Sequence, residues 1–89
     1  MPICAIVGVG PRIGNGLAQA FARKGHDIIM VSRDAAHTAT YAEAVRAKGV
    51  AAHSIAFDAT DRQACRLGFD RIIREIGVPD VAIYNPANM

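Results

Sequence analysis

No stretch of this sequence approaches the ~20 consecutive apolar residues that a membrane-spanning helix needs, and the N-terminus has no basic region leading into a cleavable apolar core. Neither a membrane partner nor a secretory route is expected. The chain has only two cysteines, Cys4 in an apolar run and Cys65 in a helical pattern, which fit a disulfide framework poorly and lack the close spacing of a metal site. They read as buried reduced thiols, which suits the cytoplasm. Basic charge is not gathered into a block: ten lysines and arginines are scattered among eight acids, and the formal net charge is only +2. A nucleic-acid partner is not expected from that balance. The chain also lacks the Pro/Ser/Gly tracts and charge runs of a linker or disordered tail.

What remains is a globular composition, 52% hydrophobic and 20% charged over 89 residues. That length makes one small domain over residues 1–89 and excludes a second, and so short a chain buries only a little over ~60% of its unfolded surface.

Pro2 to Val9 is almost wholly apolar and stops at Gly8-Val9-Gly10-Pro11, the pattern of a strand covered on both faces that ends in a tight loop. From Ile13 to Lys24, Leu17, Ala18, Phe21 and Ala22 recur at helical spacing, and Gly25 follows as a stop. A second strand is predicted over Asp27 to Ser32. An alanine-rich helix follows from Asp34 to Lys48, ending before Gly49 in the same manner. Val50 to Phe57 reads as a third strand. Thr60-Asp61-Arg62-Gln63 then matches a capping box before a helix that ends near Gly77. Val81 to Tyr84 is a fourth strand, with Tyr84 as a packing residue, and Asn85-Pro86-Ala87 turns the chain out of the sheet.

Strands and helices thus alternate, and the connections are short enough to require right-handed crossovers and a parallel sheet. The predicted architecture is α/β, a three-layer Rossmann-type half-domain with about four strands in the order 3-2-1-4 and helices on both faces. Its crevice would lie at the carboxyl ends of strands one and four. The fourth strand would be an open edge, which invites self-association.

Gly8-Val9-Gly10-Pro11-Arg12-Ile13-Gly14 lies between a predicted strand and a predicted helix, where a glycine loop lets backbone approach a pyrophosphate. Its spacing resembles the Gly-x-x-x-Gly-x-Gly loop of the short-chain dehydrogenase/reductase family, matching at Gly8, Ile13 and Gly14. It departs at Arg12, where that family has its middle glycine. Two readings of Arg12 stand: its side chain crowds a cofactor, or its guanidinium meets a phosphate. Phe57-Asp58-Ala59-Thr60-Asp61 resembles the family's Asp-Val-(Thr/Ser)-Asp segment, whose first aspartate contacts adenine; the plainer reading has Asp58 brace the loop. Asp80 to Ala87 resembles its fourth strand, Asp-Val-Leu-Val-Asn-Asn-Ala-Gly, with Tyr84, Pro86 and Ala87 as departures. Asn85 either lines the cofactor site there or satisfies backbone groups where the strand ends. The three motifs occur in the family's order and span nearly the whole chain.

The resemblance implies a nicotinamide cofactor and hydride transfer to or from a carbonyl. An NAD-preferring site has an acid at the end of the second strand, about 20 residues past the glycine loop. Ser32-Arg33 stands there instead, and an arginine pairs with the 2'-phosphate of NADP, which makes NADP the expected cofactor and NAD the alternative. Asp34 leaves two readings open, an acid that excludes the phosphate or the N-cap of the second helix. The acid that S-adenosylmethionine enzymes want at this strand end is replaced by Arg33, which disfavours a methyltransferase.

The resemblance also implies a catalytic serine and a Tyr-x-x-x-Lys pair, which this chain lacks: Tyr41 is followed four places on by Val45 and Tyr84 by Asn88. No catalytic residue is assigned, and a fragment inactive by itself is expected. His26, His37 and His53 fall in separate elements and are read as surface or partly packed. A non-enzymatic dinucleotide-binding or interaction module is the competing expectation.

Overall fold

The computed structural model describes residues 2–8, 13–33, 35–58 and 60–84, and of 13–15 and 35–38 it describes the backbone. In chain order the elements are β1 (Ile3–Val7), α1 (Ile13–Arg23), β2 (Asp27–Ser32), α2 (Ala35–Arg46), β3 (Ala52–Ala56), α3 (Arg62–Glu75) and β4 (Val81–Tyr84). The strands form one parallel sheet in the order β3-β2-β1-β4. The predicted topology is therefore the observed one.

Alternation along the strands divides the core into two layers. Cys4, Ile6, Ile28 and Met30 point to one face, where Ala18 and Ala22 of α1 and Ala42 and Val45 of α2 cover them. Ala5, Val7, Ile29, Val31 and Ile55 point to the other face and meet Ile72 of α3. Because both faces of β1 and β2 are covered, these strands are apolar without interruption rather than alternating with polar residues. Burying a side chain such as Ile28, Ile29 or Met30 contributes about 1.5–3 kcal/mol.

Two aspartates clasp the sheet at the amino ends of its strands. Asp80 Oδ2 accepts the Ile3 N–H at 2.8 Å, and the Asp80 N–H donates to the Ile3 carbonyl at 2.8 Å. Asp27 Oδ1 accepts the Ala51 N–H at 3.0 Å. These bonds tie β4 to β1 and β3 to β2 at the edge opposite the glycine loop.

Some boundaries differ from those the hydrophobic runs predict. β1 stops at Val7 because Gly8 turns, and β3 begins at Ala52 because the Ala51 N–H goes to Asp27 instead of the ladder. Phe57 leaves the strand to pack edge-to-face with Phe69 at 5.8 Å. Both α1 and α2 end a little before the predicted Lys24 and Lys48, which form turns ahead of Gly25 and Gly49.

The cap of α3 needs a larger correction. Asp61, not Thr60, is its N-cap, with Asp61 Oδ1 accepting the N–H groups of Gln63 and Ala64 at 3.0 and 3.1 Å. The Thr60 hydroxyl turns back to Asp58 instead. Tyr84, expected to pack, is 60% exposed because β4 lies at the sheet edge.

Candidate functional site

A parallel sheet brings every carboxyl end to one edge, and the register sets them nearly flush: Val7 pairs with both Val31 and Tyr84, and Ser32 pairs with Ala56. Gly8, Ser32-Arg33 and Phe57-Asp58 therefore follow one another along a single rim. The Gly8 N–H donates to the Val31 carbonyl at 2.9 Å, and the Phe57 N–H donates to the Ser32 carbonyl at 2.9 Å, so the ladder runs one residue past each strand before the chain leaves it.

Gly8 then adopts φ 84°, a conformation that costs a residue with a Cβ about 1–2 kcal/mol. This lets the chain turn off β1 at Gly8. The helix opens at Ile13-Gly14, and its first turn leaves up to four N–H groups without intrahelical acceptors.

Asp58 is held firmly. Its Oδ1 accepts the Thr60 hydroxyl at 2.6 Å and the Thr60 N–H at 2.9 Å. Those two bonds, aided by the positive charge of Arg33, hold the Asp58 carboxyl below the usual aspartate range. The rim thus carries an exposed cation at the end of β2 and an ionised carboxylate at the end of β3, close enough for the charge of one to act on the other.

Of the residues singled out from the sequence, Gly8, Ser32, Arg33 and Asp58 come together here, with the backbone of Ile13 and Gly14 at the helix start. Gly10, Arg12, Asp34, Ala59, Asn85, Pro86 and Ala87 lie outside the described residues. Thr60 was assigned to the helix cap, although Asp-x-Thr is itself a turn signal that would have revealed its bond to Asp58.

Elsewhere the chemistry is sparse. Burial raises the Cys4 thiol to about 11, which keeps it protonated, and Cys65 is half-buried in α3. No group of three His, Cys, Asp or Glu among the described residues could hold a metal ion. His26 meets Phe21 edge-on at 5.1 Å, and His53 is half-buried in β3. An open groove on the outer side of α3, lined by Arg62, Gln63, Arg66, Leu67 and Asp70, shares no residue with the rim. No helix of the described residues is long and apolar enough to cross a membrane.

The sequence profile of the short chain dehydrogenase family matches residues 2–88. The chain belongs to that family. Among proteins similar to this chain is the probable oxidoreductase EphD of Mycobacterium tuberculosis, 32% identical over 83 residues; the match covers 93% of this chain and 14% of EphD. NAD+-bound xylitol dehydrogenase superposes with a TM-score of 0.85 at 28% identity, over 91% of this chain and 31% of that one. A Burkholderia cenocepacia protein described as a putative dehydrogenase, with bound NADP, superposes with a TM-score of 0.83 at 29% identity, over 93% of this chain and 33% of that one. The chain therefore spans about a third or less of each of these relatives.

Proposed function

We propose that the rim binds NADP and that this chain is the N-terminal nucleotide-binding part of an oxidoreductase acting on a carbonyl or alcohol substrate. The observation that carries the proposal is the exposed guanidinium of Arg33 at the end of β2, on the same edge as the left-handed Gly8. One solved relative holds NADP and another NAD+, so membership of the family leaves the choice open and Arg33 favours NADP.

In this reading Gly8, Gly10 and the helix start at Ile13-Gly14 receive the pyrophosphate. Ser32 and Arg33 hold the adenosine ribose and its 2'-phosphate, with Arg12 as a second cation. Asp58 and Ala59 meet the adenine, while Asn85, Pro86 and Ala87 flank the nicotinamide end. When bound, the cofactor supplies the hydride donor or acceptor. The role of this chain is to fix its phosphates and base. Without the serine and the Tyr-x-x-x-Lys pair, the 89-residue chain is expected to bind without turnover.

Parallel calorimetric titrations with NADPH and NADH test this. Arg33→Ala should weaken NADPH binding about tenfold, the value of a partly exposed charge-assisted contact, while NADH changes by less than about twofold. Equal losses for both, or no binding of either by the natural sequence, would sink the NADP assignment.

A second reading, self-association through the β4 edge, is favoured by the exposure of Val78 (69%) and Tyr84 (60%) beside it. Sedimentation should then show dimers that Tyr84→Lys dissociates. A monomer at high concentration removes this reading.

A further inference from the structure

The segment between β3 and α3 contains two aspartates with different tasks. Asp61 closes the helix through Gln63 and Ala64, whereas Asp58 accepts the Asp61 N–H on its backbone carbonyl at 3.1 Å and gives its side chain to Thr60 instead of the cap. Both Thr60 donors converge on one oxygen of Asp58, Oδ1, at 2.6 and 2.9 Å. The described residues place no donor on Oδ2. An ionised carboxylate only accepts hydrogen bonds, so Oδ2 attracts an N–H and repels a carbonyl oxygen.

We infer that Thr60 is a positioning residue: it occupies Oδ1 of Asp58, fixes the carboxylate plane and leaves Oδ2 to select a purine with an exocyclic amino group over its 6-oxo counterpart. This rests on the dinucleotide reading above, in which Asp58 meets the base. The physical basis is preorganisation. The terminal torsion of an aspartate is broad, and a carboxylate already held by two bonds loses less freedom when the base arrives. The lowered proton affinity of Asp58 has the same source, the Thr60 hydroxyl first and the Thr60 amide second, and it keeps the carboxylate in its accepting form. Thr60 is exposed and outside the α3 cap, so Thr60→Val removes the hydroxyl while leaving the helix closed.

The test is calorimetric titration of the full chain with NADPH and with its hypoxanthine analogue, in which the 6-amino group is replaced by oxygen. The natural sequence should prefer the amino form by roughly tenfold, the usual scale for one hydrogen bond to a charged group. Thr60→Val should reduce that ratio to about threefold or less without changing affinity for the oxo form, and Thr60→Ser should restore it. An unchanged ratio in Thr60→Val overturns the inference, and so does an equal loss for both ligands, which would mark a structural role. Carbon-13 NMR titration of the Asp58 carboxyl, with no ligand present, should find its pKa higher in Thr60→Val; an unmoved pKa overturns the hydrogen-bond basis. Binding of neither dinucleotide by the natural sequence defeats the cofactor reading itself, whereas NADPH binding with no dependence on Thr60 defeats this inference alone.

Discussion

On the face of the sheet that carries α1 and α2, Cys4, Ile6, Ala18, Ile28, Met30, Ala42 and Val45 are completely removed from solvent. On the opposite face Ala5, Ile29 and Val31 are equally removed from solvent, but α3 works alone there: Ile72 is its single fully buried residue among those described, Phe69 and Ile76 are half-buried, and Leu67 and Ile73 stand 59% and 48% exposed. The strands supply equally apolar residues to both faces. The difference therefore lies in how many helices cover them, and stability should concentrate where there are two. The thinner face has a further job, because the Phe57 ring, just past β3, lies so close to α3 that a Cβ at Gly68 would run into it. Phe57 directly precedes Asp58, so α3 braces the rim as well as sealing the core.

The sharpest way to break this comparison is to make the same deletion on each face. Ile28→Ala should cost about 4 kcal/mol and Ile72→Ala about 2 kcal/mol, because the space left under a lone helix collapses or fills with water more readily. Urea unfolding followed by circular dichroism gives both values. Equal costs, or the reverse order, would mean that the one-helix face is as well packed as the other.

Gly68→Ala sharpens the bracing role with a smaller effect. Alanine favours a helix interior by about 1 kcal/mol over glycine, yet the displaced Phe57 ring should make the net change a destabilisation of about 1 kcal/mol. Chemical-shift changes should extend to Asp58. A stabilised protein with an unmoved Asp58 would show that the contact is dispensable.

Most of the architecture was legible because it depends on local signals. Lys-Gly stops, buried runs too short for helices and tight connections left only a parallel sheet in the order 3-2-1-4, and β2 and β4 fall where the sequence put them. Thr60 and Asp61 are both good capping residues and adjacent, so propensity could not choose between them. The choice was made by Asp58, which engages the Thr60 hydroxyl and leaves the cap to Asp61. Exposure of Tyr84 was missed although the order 3-2-1-4 puts the fourth strand at an edge, because its place in an apolar run reads as packing. At the rim, Gly8 and Arg33 were visible as motif positions. The influence of Arg33 on Asp58 was not, because it arises from the pairing of Ser32 with Ala56 across two strands.

The clasps at the amino edge also bear on the order in which the sheet assembles. Asp27 reaches a residue 24 positions away, while the bond between Ile3 and Asp80 closes a loop of 77. The entropy of loop closure makes the longer contact costlier by about 1 kcal/mol. β3 is therefore expected to join β2 while the chain is still searching, and β4 to dock last. Pulse-labelled hydrogen exchange during refolding should find the amides of Ala82 and Ile83 protected after those of Ile28 and Met30. Until that step, one flank of β1, the strand at the centre of the finished core, is an unpaired edge.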